Sequence, residues 1–372
     1  MIYLDNAATS FPKPRCVYRR LHWCLKHAGG NPGRSSHRAS LSAAEEIYAT
    51  REALCKLLSF SAPERIVFTQ NATHALNLAI HALLPRPKHV IYSDREHNSV
   101  IRPIESLRQE GCEHSVFRTD GDILAAMEAA MTKETDLCIV SLCSNVTGEC
   151  FPLSVLQAFS KRHPRVRIIL DGSQWIGHLP FSLNPQLCDI LCAPGHKALF
   201  GLPGSGFAAF ATDGEYAPLT FGGSGNASES PYMPELLPER MEAGTLATPA
   251  ISTLLAGTQF ILAEGMENIS DRLRFLTQEL SERLHSLPNV KVIGENGFAI
   301  ASFTAESAPS YAVADFLDAR GICVRSGLHC APLIHATNQT LPHGTVRISL
   351  SYLNTVKDLD RFYRAMKDFT KI

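Results

Sequence analysis

Between residues 40 and 210 short apolar runs alternate with stretches whose apolar residues recur every three or four positions. The runs Ile66–Thr69, Val90–Ser93, Leu137–Leu142, Val166–Leu170, Cys188–Cys192 and Gly206–Ala211 predict strands, because they are short, continuous and bounded by polar or turn residues. Between them, Leu76, Ala79, Ile80 and Leu83 mark a helix over Thr73–Leu84, and a second helix is predicted over Leu153–Arg162. Strands alternating with helices predict an α/β half built on a mostly parallel sheet covered by helices. The stretch Gly222–Pro238 is rich in Gly, Ser and Pro and reads as a loop. Beyond it, Ile269, Leu273, Leu276, Leu280, Leu284 and Leu287 trace one face of a long helix. Strands near Val290–Ile293, Ala299–Thr304, Ile322–Val324 and Val346–Leu350 then predict a smaller α+β unit. Its last helix carries Val356, Leu359, Phe362, Met366 and Phe369 on one face.

Composition narrows the function classes. With 372 residues, 45% hydrophobic, the chain is long enough for a large core and two units. A net charge of -1 and the lack of a basic stripe exclude an electrostatic footprint for nucleic acid. The amino terminus shows no charged segment leading into an apolar one, and no run reaches the roughly 18 apolar residues of a membrane span, so a cytoplasmic protein without membrane contact is expected. Eleven cysteines lack CxxC pairing, which argues against a disulfide framework. Cys138 with Cys143, and Cys188 with Cys192, lie in apolar strand-like runs, so no metal is expected.

Candidate chemistry collects at predicted strand ends, where open α/β sheets bind ligands. Asp171 ends the run VRIILD, and Lys197 stands in the Gly-containing loop APGHKALFG after the next strand. A desolvated lysine forms Schiff bases, and an acid holds a cationic ring nitrogen; together they match what pyridoxal phosphate requires. Asn71, Ala72 and Thr73 open a helix whose free N–H groups favour a phosphate. His97 follows another strand and is placed to stack on an aromatic ring. Cys330 sits in the loop Arg325–Pro332 beside His329 and near Arg325, where positive charge raises the thiolate fraction. Arg347 lies among apolar residues, so a carboxylate partner is expected from the protein or from a substrate.

In order along the chain, YLDNAAT (3–9), NPGRSSH (31–37), FTQNAT (68–73), REHNS (95–99), SNVTGE (144–149), LDGSQ (170–174), GHK (195–197), RMEAGT (240–245), RSGLHCA (325–331) and VRISLSYLNT (346–355) resemble the cysteine desulfurase and selenocysteine lyase group of the class V aminotransferase-like pyridoxal-phosphate enzymes. The resemblance spans nearly the whole chain. It implies a fold-type I α/β architecture, with residues 15–245 as the large cofactor-binding domain and 1–14 with 246–372 as the small one. It further implies pyridoxal 5'-phosphate as cofactor, cysteine as substrate, alanine as product, a homodimer and a sulfur-acceptor protein.

By the same resemblance Lys197 would anchor the cofactor, Asp171 would pair with the ring nitrogen and His97 would stack on the ring. Gln174 and Asn145 would touch the ring hydroxyl or the substrate. Asn71, Ala72, Thr73 and His196 would hold the phosphate, with Thr245 reaching it from a second subunit. Arg347 would grip the substrate carboxylate with His37, Asn145 and Arg325 nearby, and Cys330 would take the sulfur as a persulfide. The motif is closest to the short-loop subgroup, in which it reads Arg-x-Gly-His-His-Cys. Three departures stand out: Leu328 replaces the first His of that run, Pro194 replaces a phosphate-binding Ser or Thr, and Asn71-Ala72 replaces a Gly-Thr type pair. Selenocysteine lyase, sulfinate desulfinase, and a class V aminotransferase or epimerase with an incidental Cys330 use the same lysine and cofactor chemistry. A non-catalytic scaffold is disfavoured, since Lys197, Asp171, His97, Arg347 and Cys330 are all present.

Overall fold

The computed structural model describes every residue except Arg34, Ala227, Glu295, Lys371 and Ile372; Arg34, within the NPGRSSH segment, therefore lies outside the described residues. A short strand, β1 (Ile2–Tyr3), precedes two helices, α1 (Arg15–His27) and α2 (Arg38–Leu57). Then come β2 (Ile66–Thr69), α3 (Ala72–Ala82), β3 (His89–Ser93), α4 (Asn98–Arg108), β4 (Glu113–Phe117), α5 (Ile123–Ala129), β5 (Thr135–Ser141), α6 (Leu153–Arg162), β6 (Arg167–Asp171), β7 (Ile190–Pro194) and β8 (Gly206–Phe210). They build a seven-stranded sheet in the order β2-β8-β7-β6-β5-β3-β4.

Alternate residues of the inner strands enter different cores. Leu191 and Ala193 of β7 join one hydrophobic cluster, Ile190 and Cys192 the other, and β5 divides Cys138 and Val140 from Leu137 and Ile139 in the same way. Helices α3 and α4 cover one face; α2 and α6 help cover the other. Burial on both faces is why these strands read as continuous apolar runs. The edge strand β4 (EHSVF) is half-exposed and polar, so it has no such run and the sequence reading missed it.

The pairs β3–β4, β3–β5, β5–β6 and β6–β7 are parallel. Only β8 runs against its neighbours, pairing antiparallel with β7 and β2. The carboxyl ends of β2, β3, β5, β6 and β7 therefore share one edge, at which β8 starts. Gly206 makes that start feasible, because a Cβ there would lie 2.8 Å from the backbone of Asn71.

Two long helices follow, α7 (Thr248–Glu264) and α8 (Met266–His285), the latter burying Ile269, Leu273, Leu276, Leu280 and Leu284 as its spacing predicts. The remaining strands are β9 (Val290–Ile293), β10 (Ile300–Ala305), β11 (Ile322–Cys323), β12 (Arg325–Gly327) and β13 (Thr345–Ser349). Helices α9 (Ser310–Asp318), α10 (Pro332–Thr337) and α11 (Val356–Phe369) complete the unit. The strands β12-β13-β10-β9 form an antiparallel sheet, while β1 pairs in parallel with β11. Thus Arg325, read from sequence as a loop residue, lies on a strand directly opposite Arg347. No helix is long and apolar enough to cross a membrane among the described residues.

Candidate active site

A cavity of about 210 Å³ opens at the shared strand edge, and eleven of the expected site residues line it: Asn71, Ala72, Thr73, His97, Asn145, Asp171, Gln174, His196, Lys197, Arg325 and Arg347. Strand ends account for this convergence. Asp171 is the last residue of β6, buried, with Oδ1 accepting the Ser173 N–H at 2.9 Å, so it shapes the following turn while facing the cavity. Lys197 follows β7, and among the described residues its Nζ makes no hydrogen bond. Burial lowers its ammonium to about 8; Asp171 opposes this, and Arg347 and Arg325 add to it.

His97 caps α4. Its Nδ1 accepts the Ser99 N–H at 3.0 Å, and burial holds the ring's pKa down at about 4. The neutral ring therefore carries its proton on Nε2. Ser99 Oγ also stands 2.9 Å from Nδ1 and 2.7 Å from Thr73 Oγ1, linking the His97 cap to the first turn of α3. In that turn Asn71 Oδ1 accepts the His74 N–H at 2.9 Å, leaving the N–H groups of Ala72 and Thr73 as donors at the positive end of the helix dipole.

His196 is held from behind. Its carbonyl accepts from Ser10 N at 3.1 Å, Thr9 Oγ1 at 3.0 Å and Lys13 Nζ at 3.3 Å, and its buried Nδ1 has no partner among the described residues. Burial, with Lys197 and Lys13 adding, lowers its pKa to about 4. The segment YLDNAAT thus wraps the floor of the site: Ala7 and Ala8 line it, and the Ala7 carbonyl accepts Gln174 Nε2 at 3.0 Å.

Arg347 is 1% exposed, and the partner it needs is Asp5, whose Oδ1 accepts Nη2 at 2.8 Å. Its Nη1 donates to the Asn145 carbonyl at 3.0 Å, and Asn145 Nδ2 donates to the His329 carbonyl at 2.7 Å. These bonds tie the carboxylate-binding corner to the cysteine loop.

Three expected residues lie outside the lining of this cavity, and His329 lacks the charge expected beside the thiol. Cys330 does not line the cavity; it is exposed at the rim, peptide-bonded to the lining residue His329, with its carbonyl accepting the N–H of Asn98, next to His97. His329 and Cys330 both hold left-handed backbone, φ 50° and 57°, a strained arrangement for two successive non-glycine residues. His329 supplies no positive charge either. Burial first, then Arg347, His335 and Arg325, press its pKa to about 2, so Arg325 is left as the cation of that motif. Thr245 and His37 lie outside the cavity: Thr245 is exposed and bonded to Asn31 Nδ2 at 3.2 Å, and His37 caps α2 by accepting the Ser40 N–H at 3.3 Å.

Several residues at the site carry no signal in the sequence. Ser99 in the first turn of α4, Ser141 at the end of β5 and Ser173 in the turn after β6 line the cavity, but a single serine has no distinguishing spacing. Glu96 likewise has no spacing that marks it. It is fully buried, and its carboxylate accepts from Ser93 Oγ, Ser141 N and Ser141 Oγ at 2.6, 2.7 and 2.6 Å, clamping the ends of β3 and β5 together.

The donor set fits pyridoxal phosphate. An amine without a partner, a buried carboxylate, a neutral imidazole and a helix N-terminus beside an orphaned imidazole nitrogen surround a space that ends on a guanidinium.

A match to the aminotransferase class-V family covers residues 2–362. A probable cysteine desulfurase of Methanothermobacter thermautotrophicus is 32% identical over 96% of this chain and 92% of its own. A Synechocystis protein of the same description is 29% identical over 99% of this chain and 90% of its own. Among solved structures, the apo cysteine desulfurase of Thermococcus onnurineus superposes with a TM-score of 0.91 at 26% identity, covering 100% of this chain and 94% of the other. A protein in which glycine is covalently linked to the pyridoxal-phosphate cofactor has the same fold, with a TM-score of 0.86 at 22% identity, covering 98% and 96%.

Proposed function

The chain belongs to the aminotransferase class-V family, and from that premise we propose that it is a pyridoxal-phosphate-dependent cysteine desulfurase. The observation that carries this reading is the placement of an exposed thiol, Cys330, at the rim of a cavity lined by Lys197, Asp171, His97 and Arg347.

When bound, pyridoxal phosphate supplies an electron sink for bonds broken at the amino-acid carbon. The chain's residues do the rest. Lys197, with its pKa near 8, supplies a free amine at neutral pH more readily than an ordinary lysine, first as anchor and then as base for the Cα proton. Asp171 would keep the ring nitrogen protonated, and the neutral His97 imidazole, whose proton stays on Nε2, would hold the ring. The N–H groups at the start of α3, Ser99 and His196 would hold the phosphate where Pro194 offers no hydroxyl. Arg347 and Arg325, facing each other across two strands, receive the substrate carboxylate. Cys330 Sγ then forms a bond to the substrate sulfur as the Cβ–S bond breaks, Cβ takes a proton, and alanine leaves with a persulfide on Cys330. An acceptor protein removes that sulfur from the exposed rim.

Thr245 and His37, both exposed and outside the cavity, belong in this reading to the site of a second copy. Exposed Phe221, Tyr232 and Leu236 supply apolar surface for such a dimer. Residues 15–245 form the large domain, and 1–14 with 246–372 the small one.

The test is alanine and sulfide release from cysteine by the yellow protein and by its Cys330→Ala variant. Parent turnover retained in the variant would refute the persulfide route, and preference for selenocysteine or a sulfinate in direct competition would move the assignment to those substrates.

A further inference from the structure

Cys143 follows β5, and Cys150 faces it across an isolated antiparallel bridge. The flanking hydrogen bonds run from Ser144 N to the Glu149 carbonyl and from Phe151 N to the Leu142 carbonyl. That pattern makes 143–150 a non-hydrogen-bonded pair, the register in which facing Cα atoms approach to about 4.5 Å and side chains are closest. The two Sγ atoms are 3.5 Å apart. Because disulfides span Cα separations of about 4.4–6.8 Å, a bond here needs side-chain adjustment and no backbone movement.

The surroundings divide the labour. Cys150 is half-buried and reachable, whereas Cys143 is buried and lines the active-site cavity. The hydrogen bond shared with Cys143 lowers the Cys150 pKa; burial opposes this and Arg95, paired with Glu149 at 3.0 Å, adds to it. The same bond, with burial, pushes Cys143 upward. Its partial exposure lets Cys150 meet an oxidant first and leaves buried Cys143 to resolve it.

We propose that Cys143 and Cys150 form a peroxide-responsive dithiol that closes to a disulfide in the wall of the active site. The Cys150 thiolate attacks one oxygen of hydrogen peroxide, the O–O bond breaks, and sulfenic acid and hydroxide result. Cys143 sulfur attacks the sulfenic sulfur and displaces hydroxide, which leaves as water with the Cys143 proton. Two thiols lose two electrons, peroxide is reduced to two waters, and a dithiol reductant reverses the change. The bond spans the turn that carries Asn145, and so sets the carbonyl that holds Arg347.

The full-length Cys330→Ser protein, which lacks the exposed competing thiol, is treated with hydrogen peroxide under native conditions, then denatured in alkylating agent and cleaved after Glu149. The expected result is that the fragments ending at Glu149 and starting at Cys150 remain joined until reduced. With Cys143→Ser added, the joined species disappears and Cys150 is trapped as sulfenic acid by dimedone. Recovery of Cys143 and Cys150 as alkylated thiols at a dose that oxidises other cysteines would overturn the proposal. So would a joined species that persists in Cys143→Ser, which would mean Cys138 is the partner.

Discussion

Arg347, on β13, is joined to Asp5, near the start of the chain, by a 2.8 Å bond between Nη2 and Oδ1, while its buried Nε has no partner among the described residues. The guanidinium is fixed by Asp5 and the Asn145 carbonyl and still offers a donor for a substrate carboxylate. A lysine has no planar fork to make these contacts together. Arg347→Lys is expected to raise KM for cysteine about tenfold or more, on the scale of a lost charge-assisted hydrogen bond, with a smaller change in kcat. Steady-state kinetics that showed an unchanged KM and a collapsed kcat would place Arg347 outside substrate binding.

Cys330→Ala removes a group that acts after substrate has bound. KM for cysteine should stay within about threefold of the parent while alanine formation falls about a hundredfold or more. With selenocysteine the variant should keep part of its activity, since selenium leaves more readily than sulfur. Product analysis on both substrates decides this.

Lys197 has its folded-state pKa lowered by burial to about 8, so its neutral amine is depleted only below that pH. In cofactor-free protein, the rate of pyridoxal-phosphate uptake should rise about tenfold per pH unit below 8 and flatten above it. Lys197→Ala should give a colourless, inactive protein. A rate still rising at pH 10 would show an ordinary lysine.

Glu96 tests the clamp between β3 and β5. Burial raises its carboxyl from 4.5 to about 7. Below pH 4.5 the group is protonated in both states and its contribution to stability is complete. As pH rises towards 7 the unfolded chain ionises first and the contribution is lost, by about 3 kcal/mol in total. Glu96→Gln should therefore gain melting temperature relative to the parent as pH goes from 5 to 8. Parallel curves for the two proteins would refute the shift.

Assembly is tested at the exposed loop. Phe221→Asp with Tyr232→Asp should convert a dimer into a monomer in sedimentation and abolish turnover, because Thr245 and His37 would then reach no cavity. A parent protein that is a fully active monomer would remove the basis for their roles.

The sequence alone located most strands of the central sheet within about two residues, since burial on both faces leaves continuous apolar runs that need no knowledge of neighbours. It also located Asp171, Lys197, Asn71 and His97, because each follows such a run and strand ends gather ligands. Other features lay beyond it. An apolar run marks a strand but is silent on its direction, so the reversal of β8 came only from its partners. The Arg325–Arg347 pairing, the Asp5 carboxylate on Arg347, the Cys143–Cys150 contact and the neutrality of His329 depend on register and burial between segments distant along the chain. Charge and thiol chemistry are set by distances of a few ångströms and by exclusion of water, and those distances are decided only when the sheets close around one cavity.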